Sequence, residues 1–277
     1  MPQAQIIQSL PYVAWVLLVA LAFGTFALVV LTRQLTDATR GYLGFTSVCA
    51  ALLALLALAA DWGLPRPTDL ILQPAPTELD TTRQVGLIAF AVLSVAYAFV
   101  LRGRVAAPAI ALAGLAAAAI TLAAAVFGWA PTPVDAVPLL VQLVVLALAT
   151  GGSLAAIVLG HWYLVTPGIS EWPLILQARF LLAVIALQLL LFVVWTTLGG
   201  GPGQVAFDAF AGGSVLLVVL RLAVSLLFPL VLTWMAWRTA QTRSMESATG
   251  LLYINLAAVM AGTIGAAALY VSVGLLI

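Results

Sequence analysis

The chain has 277 residues, 65% of them apolar and only 7% charged, with a formal net charge of +1; soluble domains run at about 45–50% apolar and about 25% charged, so a water-soluble fold is excluded. All ten basic residues are Arg, which removes any Schiff-base lysine and with it retinal or pyridoxal chemistry. One histidine, His161, and one cysteine, Cys49, supply neither a bis-His haem, an iron–sulfur or zinc cluster nor an intrachain disulfide, and scattered arginines leave no basic stripe for nucleic acid.

Apolar runs at 12–32, 42–60, 85–101, 107–128, 138–164, 173–197, 214–237 and 249–276 each approach the ~20 residues that a helix needs to cross a hydrocarbon core. They predict an all-α polytopic transmembrane bundle of about eight helices, one transmembrane domain over 1–277. The first run follows a segment without positive charge and exceeds the ~7–15-residue apolar core of a signal peptide, so it reads as a retained span. Loops rich in Arg stay in the cytoplasm. Arg33 and Arg40 follow the first span, Arg102 and Arg104 the third, and Arg238 and Arg243 the seventh, against Arg66 and Arg83 on the other side. The bias predicts a multi-pass protein with both termini outside, N-out/C-out, in the periplasm or extracellular space.

The long loop 61–84 carries Asp61, Asp69, Glu78 and Asp80 with Pro65, Pro67, Pro74 and Pro76. That composition predicts an irregular connector, with an outer lid or partner-docking loop as the functional alternative. The GGGPG run at 199–203 reads as a turn, because a phosphate loop needs a lysine and a strand-to-helix context.

Polar residues inside spans are functional candidates. In the seventh span Arg221, Ser225 and Pro229 recur every four residues, and Pro229 removes the hydrogen bond to the Ser225 carbonyl, which predicts a bend beside a cation. Arg221 lies 16 residues before Trp237, about 6 Å short of the outer interface at 1.5 Å per residue, which also suits an outward-snorkelling anchor. In the fifth span Gln142, Thr150, Ser153 and His161 fall within about 100° of one another, a polar stripe that should face protein or a cavity. His161 and Arg179 sit at similar depths on helices joined by a short turn, with Ser170 placed to cap the sixth. They are read either as a cytoplasmic-leaflet pocket for an anionic or quinone-like headgroup or as interfacial anchors within an aromatic belt. In the eighth span Ala258, Gly262 and Ala266 form a small-residue face, with Asn255 as an interhelical hydrogen bonder. Cys49 reads as a small buried apolar residue.

The segments GHWYLVTP (160–167) and SATGLLYIN (247–255) resemble segments of uncharacterised bacterial polytopic membrane proteins, which implies a multi-pass protein of the bacterial inner (plasma) membrane. The eight-helix plan without haem ligands is similar to the cofactor-free quinol-interacting membrane anchors of the polysulfide-reductase type. That similarity implies a membrane subunit of a larger complex that binds a lipophilic ligand such as a quinone, with no catalytic or metal-ligating residue of its own. A small-solute transporter and a membrane scaffold or assembly factor are the alternatives. The candidate ligand-binding residues are His161, Arg179, Ser153, Thr150, Arg221 and Ser225.

Overall fold

The structure, a computed structural model, describes residues 3–65, 70–72, 75–101, 103, 105–166, 168–211 and 215–277, with side chains from Gln8 onward. Arg66, Pro67, Asp69, Pro74, Arg102, Arg104 and Pro167 lie outside the described residues. The helices are α1 (Gln3–Leu35), α2 (Arg40–Trp62), α3 (Thr77–Val100), α4 (Ala106–Trp129), α5 (Pro133–Val165), α6 (Trp172–Leu198), α7 (Val215–Leu222), α8 (Phe228–Gln241) and α9 (Met245–Val273). A π turn (Ala223–Leu227) joins α7 to α8, so Val215–Gln241 counts as one span and eight segments are long and apolar enough to cross a membrane. The protein is an all-α, multi-pass integral membrane protein, with no strand among the described residues.

Helix ends follow local chemistry. Thr132 caps α5, accepting from the Asp135 amide at 3.3 Å, with Pro133 in the first turn; the proline's missing N–H would be unpaired there in any case. Gly199 ends α6 in the left-handed region (φ 76°), its N–H donating to Trp195 O, a conformation that favours glycine. Ser170 Oγ accepts from the Trp172 amide at 3.3 Å, within the start of α6.

One sequence expectation needs correction. α3 begins at Thr77 rather than at 85, because Glu78 and Asp80 in its first turn suit the positive end of the helix dipole. Arg83 is therefore a helical residue, 3% exposed, and not a loop arginine. The loop expected over 61–84 shrinks at both ends, since α2 runs on to Trp62.

α1 and α5 form the centre, with 78% of the apolar window of each buried, against 33% for α6 and for the seventh span. α1 packs on α2, α5 and α9, and α3 packs on α4. Close approach of α1 and α5 depends on two glycines. A Cβ on Gly24 would overlap the Ala147 carbonyl, and one on Gly151 would overlap the backbone of Ala20, Leu21 and Thr25. Thr25 Oγ1 then donates to Gly151 O at 3.0 Å. On the other side of α1, Phe23 and Phe26 meet Phe90 edge-on, and Phe26 meets Tyr97 the same way. Gly151→Ala is expected to cost about 1–3 kcal/mol, since backbone cannot yield as a side-chain tip does. Gly250→Ala, with open space around it, is expected to be neutral or slightly stabilising. Unfolding midpoints in a detergent titration check both, and equal midpoints would contradict the close contact.

Candidate ligand site in the core of the bundle

The polar residues of α5 point inward along much of its length. Thr150 and Ser153 are 0% exposed and Gln142 is 6% exposed. The Thr150 hydroxyl pairs with the Thr263 hydroxyl of α9 at 2.7 Å. Ser153 Oγ donates to Ala149 O and accepts from Asn255 Nδ2 at 2.9 Å. The Asn255 Oδ1 accepts from Thr233 Oγ1 of α8 at 3.0 Å. α5, α8 and α9 are thus sewn together by hydroxyls and one amide, each group satisfied inside an apolar surround, as buried polar groups require. Gln142 Nε2 donates to Ile277 O at 2.7 Å.

Arg221 lies next to this seam and is different in kind. It is 3% exposed. Its Nη2 donates to Gln188 Oε1 of α6 at 3.4 Å, and Gln188 is itself oriented by donating Nε2 to Val145 O at 3.2 Å. The Nε and Nη1 of Arg221 are buried and have no hydrogen-bond partner among the described residues, and no carboxylate there forms an ion pair with it. The guanidinium fits because residue 262 on α9 is glycine: a Cβ there would come within 2.5 Å of Arg221 Nη1 and would overlap Ser225 Cβ. The small-residue face of the last span is, at Gly262, a recess for Arg221 and Ser225. Ser225 is 5% exposed and lies within the π turn, where the Phe228 N–H donates to Ala223 O, five residues back. The break in the seventh span is therefore a π turn just before Pro229, a widening that an extra residue per turn produces.

His161 and Arg179 lie elsewhere. Both are exposed. Arg179 stands over the Trp237 ring of α8, 5.8 Å from its centroid. His161 is 19 positions beyond Gln142, which at 100° per residue turns it about 100° away from the start of the stripe. A cavity of about 530 Å³ does open at this end of the bundle, but its wall is Tyr163, Gly168, Ile169, Arg243, Ser244 and Glu246, with Leu164 and Met245. Arg243 forms an exposed pair with Glu171 at 3.1 Å.

Two features were missed by sequence reasoning. Gln188 carried a signal: it falls eleven residues, three helical turns, after Gln177, which donates its Nε2 to Thr32 Oγ1 and Tyr42 OH at 2.7 Å each. Two glutamines on one face of an apolar helix mark a polar stripe. The other is an ionic cluster at the end where α1 begins. Arg83 donates Nε to Asp61 Oδ2 at 2.5 Å, Nη2 to Asp61 Oδ1 at 3.1 Å and Nη1 to Asp80 Oδ1 at 2.8 Å. Gln84 Nε2 also donates to Asp61 Oδ1 at 3.0 Å, and the guanidinium lies 5.8 Å and 5.2 Å from the Trp15 and Trp129 ring centroids.

The chain matches no protein-family model and no curated protein sequence.

Proposed function

We propose that this membrane protein is a subunit that holds a lipophilic ligand with a hydrogen-bond-accepting head, a quinone being the type, at Arg221 with Ser225 and Gln188 around it. The observation that carries the reading is a buried guanidinium with two donor nitrogens unmet among the described residues. Such a group is costly in an apolar interior, and a ligand carbonyl or oxyanion placed against Nε and Nη1 would remove that cost. Gln188 is fixed through Val145 O and spends its acceptor on Arg221, which favours a ligand that brings acceptors of its own. The lipid bilayer supplies such molecules laterally. Thr150 and Ser153, satisfied by Thr263, Asn255 and Ala149, hold the neighbouring helices in place. His161 and Arg179, both exposed, act as interfacial anchors in this reading, and alanine at either position leaves ligand retention unchanged.

Purification in mild detergent, lipid extraction and mass spectrometry test it. A quinone or another acceptor-headed lipid should co-purify near one per chain and fall by about ten- to a hundredfold in Arg221→Met, the equivalent of one or two charged hydrogen bonds. Equal retention by the variant would sink the assignment. A small-solute carrier is the second reading, favoured by the π turn ahead of Pro229, since interrupted spans line solute sites. It predicts a polar anion bound reversibly and no stoichiometric lipid. Co-purifying subunits without either ligand would favour a scaffold.

The same proposal places both termini outside a bacterial inner membrane. Arg33, Arg40, Arg238 and Arg243 lie at one set of helix ends, and Arg33 donates to Leu101 O and Gly103 O across the α3–α4 turn. A Gly103→Cys variant should resist an impermeant thiol reagent added from outside and react after permeabilisation. External labelling at 103 would reverse the topology.

A further inference from the structure

The charge on Arg221 narrows the head group that its site can accept. A guanidinium does not give up its proton in a protein, so Arg221, 3% exposed, carries a full positive charge into the bundle. The polar side chains beside it are neutral: Gln188 accepts from its Nη2, and Ser225 shares the recess at Gly262. The ion pairs of the described residues belong to Arg83 and Arg243. A neutral carbonyl would satisfy a donor nitrogen and leave the charge itself uncompensated, which is the costlier part of burying an ion.

The free donors also have a definite shape. A guanidinium is planar and carries five N–H groups, and two forks of parallel N–H bonds share Nη2, one with Nε and the other with Nη1. The 3.4 Å bond to Gln188 is made by Nη2 and occupies one of its hydrogens, while Nε and Nη1 have no partner among the described residues. Whichever hydrogen Gln188 takes, one complete fork stays open. Two oxygens on one carbon, as in a carboxylate, fit such a fork with two charge-assisted hydrogen bonds; the carbonyls of a quinone lie apart on the ring and reach it singly. On one side of the site, the hydroxyls and amide of α5, α8 and α9 satisfy one another. On the other, Leu220, Val224 and Leu227 of the same span are exposed apolar side chains, a surface that suits lipid. An occupant with an apolar chain can enter from that side.

We infer that the occupant of the Arg221 site is a long-chain carboxylate, its two oxygens accepting from the open fork and its chain directed toward lipid, a reading that rests on the ligand site proposed above.

Lipid-stripped protein in mild detergent, kept alkaline so that a fatty acid is ionised, tests this with radiolabelled palmitate. Saturable binding near one per chain is expected, with a Kd of about micromolar order. Methyl palmitate has the same chain without the charge, and acetate the same head without the chain; each should compete at least about tenfold less well than palmitate. Arg221→Met should weaken palmitate binding about ten- to a hundredfold, with a melting curve to establish that the variant is folded. If it does not fold, the competition in the parent protein decides. Palmitate left unbound while a quinone is retained in an Arg221-dependent manner overturns the carboxylate and leaves the site standing, whereas neither ligand bound overturns both. Equal palmitate binding by folded Arg221→Met, or methyl palmitate or acetate competing as well as palmitate, would each overturn the carboxylate assignment.

Discussion

Asp61→Ala is expected to destabilise the folded bundle by about 3–5 kcal/mol. The reason is the state of Arg83 afterwards. In the parent protein its guanidinium is 3% exposed and shares two nitrogens with Asp61, whose side chain is 0% exposed. Removing the carboxylate leaves a buried cation with the half-exposed Asp80 as its remaining ionic partner, and breaking a buried pair from one side costs far more than the pair is worth. Gln84 Nε2 loses its acceptor too. The double variant Asp61→Ala/Arg83→Leu should recover most of the loss, because it removes both charges together. Unfolding midpoints in a detergent titration distinguish the cases. A single-variant cost below about 1 kcal/mol, as for exposed pairs, would show that water reaches the pair.

Arg221→Met is expected to have the opposite sign. In protein stripped of co-purifying lipid, it should raise stability by about 1–3 kcal/mol, the cost of keeping buried polar groups unpaired. Methionine spans a similar length without donors and can settle into the recess at Gly262. A stabilising substitution at a buried site is the mark of a residue retained for function rather than for folding. The same variant should lose ligand, so the two measurements on one protein give a stability gain and a binding loss. Gly262→Ala is the complementary probe: its Cβ would displace Arg221 Nη1 and Ser225, and it should destabilise where Arg221→Met stabilises. If Arg221→Met instead destabilises by several kcal/mol, the guanidinium is satisfied in solution, and its role is structural.

The eight spans were legible in the chain because crossing hydrocarbon needs about twenty apolar residues whatever the neighbours are, and that requirement is met locally. Ser153, Thr150 and Asn255 were legible as inward-facing for the same reason, since an unpartnered polar group cannot face lipid. What the sequence could not contain is which face of one helix meets which face of another. The spacing reads His161 and Arg179 at similar depths, yet Arg179 stands over the Trp237 ring. Asp61 and Arg83 are 22 residues apart in a stretch whose acids and prolines read as a connector, and only the packing of α2 on α3 joins them. Gly262 looked like a generic contact, and its partner proved to be the side chain of Arg221. Hydropathy is a property of single helices and survives without a fold; the pairing of charges and the recess for a guanidinium depend on rotation about each helix axis, which is set only when all the helices pack at once.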